Sequence, residues 1–430
     1  LMSAVKAAGS FKTLSSGRVQ GPALALLAKR EAEIKAFKST PFWQIRAIAQ
    51  NFEAMYETEK IEDEKLAKKI TEDCKGKDAK VKEVERKEFK NNPPNPFNLT
   101  DLQTEAFKVF KFDPKRTQNI AQKLYEHAII SYPRTSSQKL PKELNLKEII
   151  KNLAKNPNYK TFTDKILRTS IKPNDGKKAD EAHPAIHPTG EMPKNINSEE
   201  SKVYDLIVKR FLATFSEAAL RETQTAILKI DEHNFIAKGS RTIEENWFEF
   251  YKPYVMIKED VLPKLEKDQD IKISNIELDS KETQPPSRYN MASVIKALEK
   301  SNLGTKATRA DIVENLYKRG YLEDKRIEVT DLGITVISTL EKYCPEIISE
   351  QLTRQFEKDM EEIQKGKEKP ETVLDNAKKE LDNIFTTYKK NELDIGKNLL
   401  TSIRNSDNRN SMIGKCPECG EGNIIMKKGK

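Results

Sequence analysis

The sequence has few of the residues that stabilise small secreted domains or build membrane spans. Four cysteines in 430 residues are too few for a disulfide framework, and they suit a reducing cytoplasm. No apolar run approaches the roughly 18 residues that a membrane-spanning helix needs. Apolar residues make up 37% of the chain, below the about 45–50% of an average globular protein. We therefore expect a cytoplasmic protein with much charged surface and no membrane partner.

Charge is what the chain has in excess. Charged residues make up 33%, and 76 Lys and Arg against 67 Asp and Glu give a net charge of +9. A basic balance favours a polyanionic partner, of which nucleic acid is the commonest. The same composition fits a soluble Lys- and Glu-rich protein equally well, so charge alone does not decide. The length exceeds one ordinary core and predicts at least two domains.

The hydrophobic patterns follow the order helix, β, helix, β, helix. A helix is predicted in SSGRVQGPALALLAKREAEIKAF and ends by Pro41, after which FWQIRAIAQNF alternates like a strand. Residues 57–90, dense in Lys and Glu, indicate a solvated excursion with short strands. The Pro- and Asn-rich segment NNPPNPFNLT marks a domain boundary. Helices are predicted beyond it, strands over residues 222–280 (NWFEFYKPY among them), and helices again from Tyr289.

The segment IISYPRTSS contains a candidate nucleophile. Tyr132 precedes a proline, which pushes it to extended geometry on a strand end or loop. Arg134 then falls on the same face of the extended chain, and Thr135 and Ser136 add hydroxyls suited to phosphate oxygens. A phenol, whose pKa is ordinarily about 10, becomes a credible nucleophile beside a guanidinium that binds the phosphate. In isolation the segment more often means a tyrosine that caps a strand and an arginine in a surface ion pair.

Two of the four histidines, His183 and His187, lie in the segment AHPAIHPTG. Their spacing invites a metal-site interpretation, but Pro184 and Pro188 exclude a helix there. We favour a rigid loop that presents imidazoles to a phosphate.

A second candidate phosphate site lies where NLGTKATRADIVENLYKRGYLE turns into a helix. Backbone N–H groups at the start of that helix, with Lys306, Thr308 and Arg309, would suit a phosphate. The segment SSGRVQGP has the same character. An ordinary capped helix is the alternative in both places.

Metal and nucleotide signatures are weak. No GxxxxGK[ST] loop and no DxDxD-like carboxylate cluster occurs, so neither ATP nor a metal site for phosphoryl transfer is predicted in this chain. Cys74 and Cys344 stand alone as ordinary thiols. Cys416 and Cys419 form a CPEC pair, which is half of a zinc-ribbon signature because such a site needs a second ligand pair.

Six segments, in this order, resemble type IA DNA topoisomerases. They are SSGRVQGPALALLAKREAEIKAFKSTPFW, PFNLTDLQTEAF, LYEHAIISYPRTSSQKLP, EAHPAIHPTG, LGTKATRADIVENLYKRGYLE and VTDLG. The versions YPRTSSQKLP and GTKATRA resemble the topoisomerase III and archaeal topoisomerase I branch.

The resemblance implies a multidomain α+β fold, the toroid body of a type IA topoisomerase, with mostly helical domains joined by a β-rich arch around a hole for duplex DNA. The expected domains are 1–41, the first part of a helical base domain with a single-strand groove; 42–97, the first β segment of the arch; 98–215, the helical domain bearing the tyrosine; 216–280, the second β segment; 281–395, the rest of the base domain; and 396–430, a linker and a truncated zinc ribbon.

The resemblance also implies roles for individual residues. Tyr132 would attack a single-strand phosphodiester and become joined to the 5′ phosphate, releasing a 3′ hydroxyl. Arg134 would hold the scissile phosphate, and His183 would assist nearby. The residues expected to contact DNA are Arg18, Gln20, Thr135, Ser136, His187, Thr305, Lys306, Thr308 and Arg309. Exchange of one phosphodiester for another conserves bond energy, so no ATP is needed, and a basic groove suits single strands of any sequence.

The sequence departs from the family pattern at both ends. The Toprim domain, with its catalytic Glu and Mg²⁺ site, is not in the sequence, and the other half of the zinc ribbon is not either. We expect Mg²⁺ in a Toprim domain in cis, and Zn²⁺ as well, to belong to a longer parent protein. This chain alone is then expected to bind single-stranded DNA but to cleave it poorly unless a Toprim-bearing piece is supplied.

The function expected from the resemblance is ATP-independent relaxation or decatenation of DNA by a nucleoid-associated monomer, with single-stranded and duplex DNA as partners. The alternative is a non-catalytic single-stranded-DNA-binding protein that has kept the fold. Phosphotyrosyl DNA formed with a supplied Toprim domain would separate the two.

Overall fold

The computed structural model describes residues 1–17 and 19–426 as a mixture of helices and antiparallel strands. The helices are α1 (Met2–Ala7), α2 (Gln20–Ala36), α3 (Glu64–Cys74), α4 (Leu99–Phe110), α5 (Pro114–Glu126), α6 (Leu146–Leu153), α7 (Pro157–Leu167), α8 (Ser198–Ala213), α9 (Trp247–Tyr251), α10 (Met291–Lys300), α11 (Arg309–Lys318), α12 (Asp331–Tyr343), α13 (Glu350–Gln364) and α14 (Pro370–Ser411), with a 3₁₀ turn at Pro345–Ile348. The strands are β1 (Pro41–Ala49), β2 (Glu53–Tyr56), β3 (Ala79–Asn91), β4 (Ala219–Ile230), β5 (His233–Glu244), β6 (Asp270–Ile271), β7 (Ile273–Glu282), β8 (Leu322–Glu323), β9 (Glu328–Val329), β10 (Met412–Lys415) and β11 (Asn423–Ile425). The α+β class predicted from the sequence is confirmed.

The chain divides into two compact units. The first consists of Leu1–Ala36, Gln103–Thr117 and Pro286–Lys430, and the second of Phe37–Leu102 and Gln118–Pro285. The six domain boundaries expected from the sequence remain a prediction. No helix in the described part of the chain is long and apolar enough to cross a membrane.

A seven-stranded antiparallel sheet forms one part of the second unit, in the order β6-β3-β4-β5-β2-β1-β7. The alternation that predicted strands is clearest in β4, where Ala226, Leu228 and Ile230 are fully buried on one face. The sheet core also contains Ile45 and Phe235, from β1 and β5.

The structure contradicts the expected solvated excursion at residues 57–90. This segment folds as α3 and as the long strand β3, which pairs with β4 through most of its length. Ala67, Ile70 and Cys74 recur at helical spacing, and they bury one face of α3 in the sheet core. A few small apolar side chains at the right period are therefore enough to fold a charge-rich stretch.

The strand predicted at NWFEFYKPY is also wrong, since the segment contains the short helix α9. Phe248, Phe250 and Tyr251 are all buried. A strand would point the adjacent residues 250 and 251 to opposite faces, whereas one helical turn buries both.

The first unit has its own helical core. Leu24 and Leu27 of α2 pack in one cluster with apolar residues of α10, α11, α12 and α14. The helix α2 ends at Ala36, several residues before Pro41. Near its end, the buried carboxylate of Glu31 accepts a hydrogen bond at 2.9 Å from Nε of Arg288. This charge-assisted bond ties α2 to the segment that leads into α10.

Candidate active site

Two proline-containing loops of the second unit meet around Tyr132. Ile130 forms an isolated antiparallel bridge with Pro188. The backbone N–H of Ser131 donates to the carbonyl of His187 at 2.9 Å, and the N–H of His187 donates to the Ser131 hydroxyl at 3.0 Å. The tyrosine segment and the histidine segment, distant in sequence, are therefore held together by reciprocal hydrogen bonds.

Tyr132 lies in a loop outside any helix or strand, as its place before a proline predicted, and it is half-buried. The centroid of its ring is 4.5 Å from that of His183, with 49° between the ring planes. The ring of Tyr125, from the end of α5, meets it edge-to-face, at 5.3 Å and 75°. The structure thus brings the predicted nucleophile and the predicted assisting histidine into contact.

Arg134 follows Tyr132 along this loop with an unsatisfied donor. Its Nε is buried, and within residues 1–17 and 19–426 that atom has no hydrogen-bond partner. A buried donor left unpaired costs about 1–3 kcal/mol, so such atoms are rare in stable structures. An anionic ligand beside Arg134 would satisfy it.

The hydroxyls after Arg134 have internal partners. Thr135 is fully buried, and its hydroxyl donates to the carbonyl of His183 at 3.2 Å. Ser136 donates from both its backbone N–H and its hydroxyl to Oδ2 of Asp180, each at 3.0 Å. Thr135 and Ser136 therefore fasten this loop to the one that carries His183, which the sequence interpretation did not foresee.

His187 is a buried residue of the loop junction, with 5% of its surface exposed. Its Nδ1 lies 2.8 Å from the carbonyl oxygen of Ala185, and because a carbonyl only accepts, Nδ1 is the protonated nitrogen. Burial lowers the pKa of His187, outweighing the effect of this hydrogen bond. The imidazole is therefore held neutral and fixed in one tautomer.

The predicted phosphate turn before α11 belongs to the first unit. Gly304 has φ +69°, and a Cβ on it would come within 2.8 Å of Ile312 Cδ1, so the turn favours glycine. The Thr308 hydroxyl accepts from the backbone N–H of Thr305 at 3.0 Å. Arg309 folds back, donating from Nε to the carbonyl of Leu303 at 3.3 Å. Burial lowers the pKa of Arg309, a direction set by desolvation.

The structure describes two of the three remaining residues that were predicted to contact DNA. Gln20, in the first turn of α2, accepts a hydrogen bond from the guanidinium of Arg319 on its Oε1. Lys306 lies in the turn before α11. Arg18 lies outside the described residues.

The CPEC pair lies in a tight turn held by backbone hydrogen bonds. The N–H of Cys416 donates to the carbonyl of Gly422 at 2.7 Å, and the N–H of Gly422 donates to Sγ of Cys419 at 3.3 Å. Such amide donors lower the pKa of the Cys419 thiol. The pair fits two of the four ligands of a structural zinc site.

Residues 1–17 and 19–426 contain neither a complete zinc site nor a complete Mg²⁺ site. No group of three or more His, Cys, Asp or Glu side chains there is arranged to hold a metal. The described residues therefore do not fit a Mg²⁺ site, and the two CPEC thiols do not by themselves complete a zinc site.

Sequence reasoning missed two residues at this site, Tyr125 and Asp180. Tyr125 belongs to an amphipathic helix, where an aromatic residue carries no special signal. Asp180 lies just before EAHPAIHPTG, and an acidic residue at the edge of a histidine loop is a signal that could have found it.

Comparisons with known proteins agree on one family. The sequence profile of the DNA topoisomerase family matches residues 1–375. DNA topoisomerase 1 of Pyrococcus horikoshii is 46% identical over 434 residues, covering 99% of this chain and 63% of the relative. DNA topoisomerase 1 of Methanocaldococcus jannaschii is 48% identical over 437 residues, covering 100% and 57%. DNA topoisomerase 3 of Bacillus cereus is 32% identical over 475 residues, covering 97% and 61%.

The fold agrees with the same family. The structure of full-length topoisomerase I from Thermotoga maritima aligns with a TM-score of 0.74 at 27% identity, over 89% of this chain and 65% of that one. The chain spans about 57–63% of the length of the two archaeal relatives above. Because the family profile covers most of the sequence, the chain belongs to the type IA DNA topoisomerases.

Proposed function

We propose that Tyr132 cleaves and rejoins single-stranded DNA in a topoisomerase reaction that relaxes or decatenates DNA. Its phenol oxygen attacks the phosphorus of a phosphodiester, a bond from Oη to phosphorus forms, and the bond from phosphorus to the 3′ oxygen breaks. The phenol proton is lost, and the departing 3′ oxygen takes up a proton, leaving the 5′ phosphate on Tyr132. Religation reverses each step, and no ATP is consumed because one phosphodiester replaces another.

The observation that carries this proposal is the unsatisfied Nε of Arg134 on the same loop as Tyr132. A guanidinium presents its donors in a planar fork that matches two phosphate oxygens. Stabilisation of charge that develops on the phosphate is where such a donor contributes most to the rate. A phosphate at Arg134 would satisfy the buried donor and lie within reach of the tyrosine segment.

His183 is the second group that we assign to the reaction. Its ring packs on that of Tyr132, and its backbone carbonyl is held by Thr135. An imidazole so placed can donate a hydrogen bond to a phosphate oxygen. The buried residues Thr135 and His187 serve DNA binding indirectly, by fixing the two loops.

In this proposal, residues of the first unit also bind the single-stranded DNA. Its contacts are the turns before α2 and α11, with Arg18, Gln20, Thr305, Lys306, Thr308 and Arg309. Cationic side chains next to helix starts suit backbone phosphates of any sequence. Duplex DNA is the further partner during strand passage, and we propose that the protein acts as a nucleoid-associated monomer.

The metals belong to the proposal in different ways. Mg²⁺ would be held by a Toprim domain, since the described residues do not fit it, and no step here is routed through it. Zn²⁺ would take Cys416 and Cys419 together with two further ligands. This chain is expected to bind single strands and to cleave them poorly without Toprim.

The test is to incubate this chain with a single-stranded oligonucleotide, Mg²⁺ and a separate polypeptide carrying the Toprim domain of an archaeal relative. The proposal expects gel-shift binding by the chain alone and a covalent protein–DNA adduct once Toprim is added. Binding without any adduct would instead support a non-catalytic single-strand-binding protein. Absence of both would refute the proposal.

A further inference from the structure

We propose that Tyr125 is a positioning residue that holds the ring of Tyr132 in the orientation needed for attack. The inference rests on the proposed role of Tyr132 as nucleophile. Its basis is the edge-to-face contact between the two rings, with centroids 5.3 Å apart and planes at 75°. His183 contacts the same ring, so Tyr132 belongs to a row of three aromatic side chains.

Tyr125 stands on a helix end that is firmly fixed. Its carbonyl accepts from the backbone N–H of Ala128 at 2.8 Å, and the carbonyl of Leu124 accepts from Ile129 at 3.2 Å. Ala128 adopts φ +56°, a left-handed conformation that closes the helix, and its carbonyl accepts from the Thr189 hydroxyl at 2.8 Å. Leu124 is fully buried beneath this end. The backbone that carries Tyr125 is therefore a rigid support.

The side chain of Tyr132 is not fixed by a hydrogen bond to its hydroxyl. Within residues 1–17 and 19–426, its Oη forms no hydrogen bond, and its backbone belongs to a loop without regular pairing. A nucleophile needs a free hydroxyl, so its direction must come from ring packing. Contacts between aromatic rings are stabilising beyond the area that they bury.

Orientation matters for this reaction because the phenol oxygen has to meet phosphorus opposite the departing oxygen. A small misplacement of a reacting group is costly, about a hundredfold in rate for roughly 1 Å. Tyr125 is 41% exposed, so it is not an ordinary core residue. Loss of its ring would leave the fold intact and free the Tyr132 ring to take unproductive orientations.

The first experiment compares Tyr125→Leu with Tyr125→Phe, which keeps the ring, and with Phe89→Ala, which removes an exposed ring from the sheet. The full chain is supplied with Toprim and Mg²⁺, and the rate of adduct formation and the affinity for single-stranded DNA are measured. We expect Tyr125→Leu to slow adduct formation about tenfold at unchanged affinity and melting temperature. Tyr125→Phe and Phe89→Ala should stay within about twofold of the parent.

A second readout does not need activity. With 3-fluorotyrosine at position 132, the ¹⁹F signal should report a restrained ring in the parent and in Tyr125→Phe, and faster averaging in Tyr125→Leu. Adduct formation by Tyr125→Leu at the parent's rate, or an unchanged ¹⁹F signal in that variant, would overturn the inference while leaving the proposed function intact. Absence of adduct in the parent itself would refute the proposed function, and the role of Tyr125 in attack with it.

Discussion

The carboxylate of Asp180 accepts two hydrogen bonds from Ser136, one from the backbone N–H and one from the hydroxyl, each at 3.0 Å. The other carboxylate oxygen accepts from the backbone N–H of Ala182 at 3.2 Å. One side chain thereby fixes the geometry of both loops on which Tyr132 and His183 lie. Asp180 is thus a structural link inside the candidate active site.

Replacement of Asp180 should weaken both folding and cleavage. In Asp180→Ala the N–H of Ser136 loses its acceptor, and we expect the free energy of unfolding to fall by about 1–3 kcal/mol. Asp180→Asn keeps an acceptor oxygen, so its free energy of unfolding should fall by less. Urea unfolding of the parent, Asp180→Asn and Asp180→Ala measures these free energies. Equal stability of the parent and Asp180→Ala would contradict the role of this carboxylate.

Replacement of Arg134 should separate function from stability. Arg134→Met removes a buried donor that lacks a partner in the described structure, so stability should be unchanged or slightly higher. Adduct formation with supplied Toprim should fall by about a hundredfold, because a phosphate-binding donor is lost. Arg134→Lys keeps the charge without the planar fork, so its rate of adduct formation should lie between those of the parent and Arg134→Met. A destabilised Arg134→Met with normal cleavage would show that the guanidinium is structural.

The buried His187 should make stability depend on pH. Its folded pKa lies below the ordinary 6.5, so the unfolded chain takes up a proton more readily. Its contribution is complete above pH 6.5 and is lost as the pH falls from there towards the folded pKa, at up to about 1.4 kcal/mol per pH unit. Urea unfolding between pH 7.5 and 5 should show a loss that His187→Phe reduces. His127→Gln, at an exposed position, is the control, and identical pH profiles for all three would contradict the assignment.

The thiols should differ sharply in reactivity. Amide donors lower the pKa of Cys419, whereas burial raises the pKa of Cys74 to about 11 and also raises that of Cys344. Iodoacetamide at pH 7 should therefore alkylate Cys419 much faster than the two buried cysteines, as mass spectrometry of peptides would measure. Addition of Zn²⁺ should slow alkylation if the CPEC pair binds the metal. Equal rates at Cys419 and Cys74 would contradict the proposed thiolate environment.

Much of the fold follows from local patterns. Alternation correctly predicted β4 and β7, and helical spacing correctly predicted α4, α8 and α11. The charge-rich strand β3 was expected only as short strands because its extended form comes from pairing with β4, which a local pattern of Lys and Glu does not reveal. Likewise, α9 was missed because an aromatic cluster favours a strand until its burial on one side is known.

At the candidate site, too, local sequence predicted some features and missed those that depend on tertiary packing. The proline after Tyr132 predicted that this residue lies outside a helix, and the structure places it in a loop. The contacts of Tyr132 with His183 and Tyr125 arise from tertiary packing between loops and a helix end, which sequence spacing does not encode. The burial of Thr135 and His187 depends on the same packing.

The most direct test of Tyr132 as nucleophile uses single-stranded DNA labelled at its 3′ end, Mg²⁺, supplied Toprim, and either this chain or Tyr132→Phe. Because attack leaves the 5′ phosphate on the protein, a denaturing gel should show the 3′ label on the parent chain, and a 5′ label should be released in free fragments. Tyr132→Phe should bind the DNA in a gel shift with unchanged affinity and form no adduct. A labelled adduct with Tyr132→Phe, or transfer of the 5′ label to the parent chain, would contradict the account.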